Sequence, residues 1–550
     1  MYGKSGALTG SIRTPYIVGV NLCAMLMGTP VRTASDRSGS SRQSGDVSTA
    51  TDRWQCVKMR TITVNVASRQ WVSRLTARKV RSMTSLDCER HDAVLPDPKL
   101  STPIWPLTAD LDASGRLCVG GVALTEIAGR FGTPAYVLDE ADFRHRVRSY
   151  RQALPDVELV YAGKALLTTA VARWAAEEHI GVDVCSSGEL TVALAGGVDP
   201  ARIIVHGNAK SFDDLRGAVT AGVGRIVIDS LTEIDHLSRI ARRPQSVLIR
   251  VTPGVDIHGH AAVTTGITDQ KFGFPLGSAQ ATEAVTRVLA EPALSLVALH
   301  CHIGSQVTDP ALYGETARRM IMAMADIRDQ HDLLLKELNM GGGHGVPYVD
   351  TDAELDITEL AAAVGEAVDS TCAQRDFPRP QIVMEPGRAI SARAGVTVYR
   401  VLGIKTQPGA RTFVAVDGGM SDNPRVELYG AKYTATVANR RSTAPTQLMT
   451  IAGRHCEAGD ELVRDVELPS DLKPGDLLAV ACTGAYHHSM ASTYNMVGRP
   501  PLVSVDRGRA TGLVRRETIA DLLARDREWV ESAVGALCQR AGYAALLDGE

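Results

Sequence analysis

Eight short apolar runs cross the middle of the chain at near-regular intervals, each ending in a polar or glycine-rich patch. They are Val157–Ala162, Ile180–Val184, Arg202–His206, Arg225–Asp229, Ser246–Val251, Leu296–His300, Glu337–Met340 and Gln381–Met384. Amphipathic stretches separate most of them. Ala165–Glu178 carries Leu167, Val171 and Trp174 on one side, and Leu312–Gln330 carries Met320, Met324 and Ile327 at helical spacing. Those methionines read as core, because a flexible thioether fills irregular gaps. Strands alternating with helices predict βαβ units in a parallel sheet. Eight of them in about 250 residues is the length of a closed (β/α)8 TIM-type barrel, with an open doubly wound sheet as the alternative. A closed barrel gathers all its strand ends at one rim, so side chains far apart in sequence meet in one pocket.

A chain of 550 residues exceeds one such domain. After Arg388 the texture changes to short β-rich runs between turns: Val396–Ile404, Thr412–Val416, Thr434–Ala438, Gln447–Ala452, Leu478–Cys482 and Leu502–Val505. These predict a mostly antiparallel β domain. Arg116–Val119 and Thr133–Leu138 read as strands that join it or cap the barrel, with a short helix at Leu124–Phe131 between them. Leu513–Ala524 and Glu528–Arg540 read as partly helical. Residues 1–98 are different. Ser35–Arg53 is polar without apolar period, and Lys58–Arg81 is basic and only weakly alternating. Such a stretch buries too little to offset its ordering entropy. It is expected to be a disordered extension, or sequence upstream of a true start at Met59 or Met83. The α/β division is then 1–98 extension, 99–139 strands joining the β domain, 140–390 barrel and 391–550 β domain.

Composition removes several function classes. Hydrophobic content of 44% and charged content of 22% are those of a soluble globular protein. A net charge of −3 gives no reason to expect nucleic acid or an anionic membrane as partner. No apolar run is long enough to span a bilayer. Tyr16–Met27 is fairly apolar, yet no small-residue cleavage site follows it, so export is not expected. The ten cysteines form no CxxC pair and read as free thiols in a reducing cytoplasm.

Four patches at the strand ends carry chemistry. Lys164, in Tyr161-Ala162-Gly163-Lys164, is an amine at a partly desolvated rim, able to form a Schiff base with an aldehyde cofactor. His302, in His300-Cys301-His302-Ile303-Gly304-Ser305-Gln306, suits a ring lying over a cofactor, with Ser305 beside it for phosphate. His-x-His also suits zinc, but no third ligand stands nearby in sequence, so no metal is expected. Gly341-Gly342-Gly343-His344-Gly345 lets the backbone approach an anion. Glu385, in Glu385-Pro386-Gly387-Arg388, places a carboxylate where it would favour a protonated pyridine. The bland readings are a solvated lysine, a structural histidine, a tight turn and a salt bridge to Arg388. Converging at one rim, the four instead fit pyridoxal 5'-phosphate (PLP) and amino-acid chemistry.

With YAGK, DVCSSGE (Asp183–Glu189), HGNAKS (His206–Ser211), DQKFG (Asp269–Gly273), HCHIGSQ, GGGHG, EPGR, VDGGMSDNPR ending at Arg425, LYGA at Tyr429, HCEAGD at Cys456-Glu457 and TGAY ending at Tyr486, the chain resembles the diaminopimelate decarboxylases from about Trp105 to Leu523. These are PLP enzymes of the alanine-racemase-like barrel group. The resemblance implies a carbon–carbon lyase of lysine biosynthesis that converts meso-2,6-diaminopimelate to L-lysine and CO2. It implies that Lys164 carries PLP, His302 stacks on its ring and Glu385 faces its nitrogen. Asp183, Ser305, Gly341, Gly342, Gly343, Glu385, Pro386, Gly387, Arg388 and Tyr486 would surround the cofactor. Arg388, Arg425, Tyr429, Glu457 and Tyr486 would hold substrate, and Cys456 would reprotonate the carbon that loses CO2. It also implies a homodimer whose Cys-Glu loop enters the neighbouring subunit's pocket. The chemistry agrees: a thiol with a reference pKa of about 8.5 is protonated at neutral pH, and two arginines suit a distal carboxylate. Gly163, Ala209, His344 and the His487-His488 pair depart from the usual pattern. His344 and His487 bear on pocket shape and pH dependence. The competing readings are a decarboxylase of a related substrate (a carrier-bound glutamyl group or carboxynorspermidine), a non-catalytic PLP-barrel binding protein and an amino-acid racemase.

Overall fold

The β-branched runs of the middle region pair in sequence order and close on themselves. The structure is a computed structural model that describes residues 100, 103–256 and 270–526. The expectations for residues 1–98, Tyr16–Met27, Asp269 and Glu528–Arg540 lie outside them. The barrel strands are β1 (Val157–Ala162), β2 (Gly181–Val184), β3 (Ile203–Val205), β4 (Arg225–Ile228), β5 (Gln245–Thr252), β6 (Leu294–His300), β7 (Glu337–Asn339) and β8 (Gln381–Met384). Each is parallel to the next, and β8 pairs with β1 in the register Ile382↔Val157 to Met384↔Leu159, which closes the ring. The open-sheet alternative is excluded by that closure.

Alternation along the strands divides the core in two. Val160, Ile204, Val227, Leu248, Ala298 and Val383 point inward and form their own buried cluster inside the ring. Their neighbours Leu159, Tyr161, Val182, Val184, Ile203 and Val205 pack outward in the main core, as expected for strands buried on both faces. The inward cluster makes the barrel interior solid. Each of the Val, Ile and Leu side chains in it contributes about 1.5–3 kcal/mol by leaving water.

The helix after β1 runs Thr169–Glu177, later than the sequence predicts, with the Thr168 hydroxyl accepting from the Val171 N–H at 3.2 Å as its cap. The residues before it form a short 3-10 turn, Gly163–Ala165, which is what carries Lys164 over the rim. In the long helix Pro310–His331, Met320 and Met324 are fully buried, as their spacing requires.

The β domain is built on Gly395–Lys405, which pairs antiparallel with Ala135–Asp139, Thr412–Val416 and Leu477–Ala481. Two contacts are parallel, Thr412–Val416 with Thr446–Ala452 and Leu502–Asp506 with Ala135–Asp139, so the sheet is mixed though mostly antiparallel. The earlier strands 110–123 form a small sheet of their own. Two strands of the larger β sheet escape the sequence pattern. Glu461–Pro469 is an edge strand with charged, exposed positions. Arg509–Val514 folds back on Leu502–Asp506 through Arg507 and Gly508, both at positive φ. The start of the stretch read as helical from Leu513 is therefore strand, and the helix is confined to Ile519–Leu523.

Candidate active site

The strand ends meet in a cavity of about 890 Å³ bordered by Lys164, His302, Glu385, Arg388, Arg425 and Tyr486, among others. Glu385 follows β8 directly and forms the floor. Its Oε1 lies 2.9 Å from His206 Nε2 and accepts from Asn339 Nδ2 at 2.6 Å, and its Oε2 lies 3.4 Å from His300 Nε2. Burial pushes its pKa up, but His206 and His300 outweigh that and hold it well below the usual carboxylate range. The floor is therefore an anion. His300, itself buried, is driven down to about 4 by desolvation against the pull of Glu385. The ligand atoms of His206, His300 and Glu385 lie within 4.8 Å of one another, so the fold supplies His300 with neighbours that the sequence did not reveal. They are already hydrogen-bonded to each other.

Lys164 keeps 44% of its side chain exposed, so its amine is reachable, and Nζ stands 3.4 Å from Oδ2 of the fully buried Asp183. Desolvation lowers its pKa, yet the Asp183 carboxylate prevails and the net shift is upward. The other Asp183 oxygen, Oδ1, is buried without a hydrogen-bond partner. Opposite, His302 Nδ1 accepts from the Gly342 N–H at 3.2 Å, which fixes the ring and leaves its proton on Nε2. Burial, then the nearby Lys164 cation, keeps His302 neutral.

The glycine run is needed for close approach. A Cβ on Gly342 would sit 2.1 Å from the Glu385 carbonyl oxygen, and one on Gly343 would sit 2.0 Å from that of Gly304. Its N–H groups are less free than the sequence suggests, because Gly341 donates to Asn339 Oδ1 at 2.9 Å and Gly342 to His302. Gly343 and Ser305 border the cavity, whereas Gly341, Gly342, Asp183 and Pro386 stand behind it.

The outer wall is cationic. Arg388 donates from Nη2 to Ser305 Oγ at 3.0 Å and lies 4.8 Å from the Tyr486 ring centroid. Tyr486 itself is held at φ 62 by an N–H bond to the Ala165 carbonyl at 2.8 Å, next to Lys164. Arg425 opens the short helix Arg425–Tyr429, which places Tyr429 on the same cavity. Tyr348 and Arg250 also border it, and neither was singled out from the sequence. Arg250, Asn339 and His206 occupy or closely follow C-terminal strand ends, and that position was the signal available, whereas Tyr348 stands well past the end of β7.

Cys456 and Glu457 are not brought into this cavity by their own chain. Both are exposed in the loop between Thr446–Ala452 and Glu461–Pro469. The loop is nonetheless fixed. His455 bridges Ser421 Oγ at 2.8 Å and Asn495 Oδ1 at 3.0 Å, and the Tyr494 hydroxyl donates to Glu457 Oε2 at 2.9 Å. Of the two atypical histidines, His344 borders the cavity and His487 does not. His344 Nδ1 pairs with the Tyr150 hydroxyl at 2.8 Å, and His487 Nδ1 with the Ala485 carbonyl at 2.9 Å.

Residues 140–392 match the model of the pyridoxal-dependent decarboxylase family, pyridoxal binding domain. The chain is 52% identical over 431 residues to a diaminopimelate decarboxylase of Actinosynnema pretiosum subsp. auranticum, covering 78% of this chain and 97% of the relative. It is 46% identical to one from Mycobacterium leprae, covering 78% and 93%. Among solved structures it is similar to the diaminopimelate decarboxylase of M. jannaschii in complex with L-lysine, with a TM-score of 0.72, 30% identity, and 78% and 98% of the two chains covered.

Proposed function

The chain belongs to the diaminopimelate decarboxylases, and on that premise we propose that its cavity releases CO2 from meso-2,6-diaminopimelate to give L-lysine, with PLP as cofactor. The observation that carries the reading is one cavity holding an amine, a neutral histidine and an ionised carboxylate from β1, β6 and β8. The residues fit the cofactor. Glu385 is an anion at the floor where a pyridine nitrogen needs one, and Arg388 has a buried Nε without a partner beside Ser305. Lys164 would hold the aldehyde end, His302 the ring face, and Ser305, Gly343 and Arg388 the phosphate, with Asp183, Gly341, Gly342, Pro386 and Gly387 shaping the wall behind.

Bound PLP supplies the electron sink that accepts the pair left when the C–CO2 bond breaks. The protein does the rest. Glu385 stays ionised and keeps a proton on the ring nitrogen. Lys164 presents its amine beside Asp183, which balances its charge. Arg388 and Arg425 take the distal carboxylate through charge-assisted bonds, with Tyr429 and Tyr486 alongside. Glu457 takes the distal ammonium, and Cys456 Sγ–H gives a proton to the carbon that has lost CO2. Since Cys456 and Glu457 lie outside their own chain's cavity, the reading needs a second copy of the chain to bring them in, hence a homodimer. The free cysteines fit a cytoplasmic enzyme, and no helix among the described residues is long and apolar enough to cross a membrane.

The test is direct. Purified protein with PLP and meso-diaminopimelate should release lysine and CO2 in equal amounts. No lysine, or turnover of a different amino acid instead, overturns the substrate.

A further inference from the structure

Tyr348 lies three residues past Gly345, is 5% exposed and still borders the cavity. Its hydroxyl oxygen accepts from Arg388 Nη1 at 2.5 Å and from Arg425 Nη1 at 3.0 Å. One arginine comes from the end of the barrel and the other from the β domain. Two guanidinium groups drawn to one point repel each other. A phenol oxygen offers two lone pairs, so it can accept from both and set their separation. Guanidinium has no acceptor, so the hydroxyl's own hydrogen finds no partner on either arginine. A carboxylate arriving in the cavity beside that oxygen would meet both cations and the O–H.

The phenol is held in place before any ligand arrives. Its ring packs edge-on against Tyr433 at 5.3 Å, and the Tyr433 hydroxyl accepts from Arg425 Nη1 at 2.5 Å. Its N–H donates to Asp352 Oδ2 at 3.0 Å, and its carbonyl accepts from Thr434 Oγ1 at 2.9 Å. Such fixed geometry lowers the cost of orienting a substrate. We infer that Tyr348 is a specificity-determining residue, which spaces Arg388 and Arg425 and adds its own O–H to the recognition of the substrate's distal carboxylate. The inference rests on the reading of those two arginines given above.

The experiment compares PLP-loaded wild type with Tyr348→Phe and Tyr433→Phe. It reads kcat and KM for meso-diaminopimelate, and the calorimetric Kd of L-lysine, which keeps the distal carboxylate. Tyr348→Phe removes one hydroxyl shared by two charged partners, so KM and Kd should rise roughly ten- to hundredfold. Because this contact is made equally before and during reaction, kcat should stay within about threefold. PLP retention should be unchanged. Tyr433→Phe touches Arg425 alone and should shift both constants less. Wild-type KM and Kd in Tyr348→Phe would overturn the inference, as would a loss of PLP and kcat with KM unmoved. A wild type that binds L-lysine but leaves diaminopimelate intact would overturn the proposed function instead, and the Kd comparison would still decide the role of Tyr348.

Discussion

His344 keeps a neutral ring in the fold, where burial pulls its pKa from 6.5 down to about 4. Between those values the unfolded chain binds a proton that the folded chain refuses. Stability therefore rises with pH across that window and falls on acidification. By about pH 5 this one side chain costs on the order of 2 kcal/mol. His300 and His487 are shifted the same way, by desolvation first, the latter to about 3. His344→Gln should thus flatten part of the drop in Tm between about pH 7 and pH 5. Equal slopes for the two proteins would show that His344 is not the residue responsible. The sequence marked His344 as unusual and pointed to the pocket, which it borders, but nothing local reveals the distant Tyr150 as its partner. Lys164, His302 and Glu385 were legible because each follows a strand end. Tyr348 was not, because its role lies in contacts to side chains tens of residues away.

At the scale of elements, the loop after β7 threads between the ends of β6 and β8. Gly343 sits at φ 98 there with no room for a Cβ. Gly343→Ala should keep the barrel's circular dichroism yet weaken PLP retention at least about tenfold, because the loop must shift away from Gly304 and His302. Unchanged PLP affinity, measured by fluorescence titration, would contradict this packing. The barrel strands were readable as β-branched runs with repeated spacing. Glu461–Pro469 was not, since an edge strand exposes charged positions that break the alternation. The turn Gly163–Ala165 was also missed, because the helical pattern was read from Ala165 onward, whereas the helix starts at Thr169.

For the whole molecule, sequence order foretold a closed barrel and a β domain, because strand spacing sets the topology. Which site residues one chain assembles by itself was not legible in that order and was implied only by the resemblance. Cys456 and Glu457 stay outside, on a loop fixed by His455, Tyr494 and Asn495. If a second copy supplies them, two inactive variants should rescue each other. Equal mixing of Lys164→Ala with Cys456→Ala, with subunit exchange, makes half the dimers mixed, each with one intact site, and should restore about a quarter of the activity. No recovery despite verified exchange would place Cys456 in its own chain's site.

The convergence of distant strand ends around one coenzyme is tested most directly by borohydride reduction of the PLP-loaded protein and peptide mapping of the phosphopyridoxyl label. The label should fall on Lys164, whose amine is open to the cavity. It should spare Lys210, whose Nζ is taken up by the Gly207 and Val227 carbonyls at 2.6 Å each and by Glu233 at 2.9 Å. A label on another lysine, or none at saturating PLP, would contradict the account.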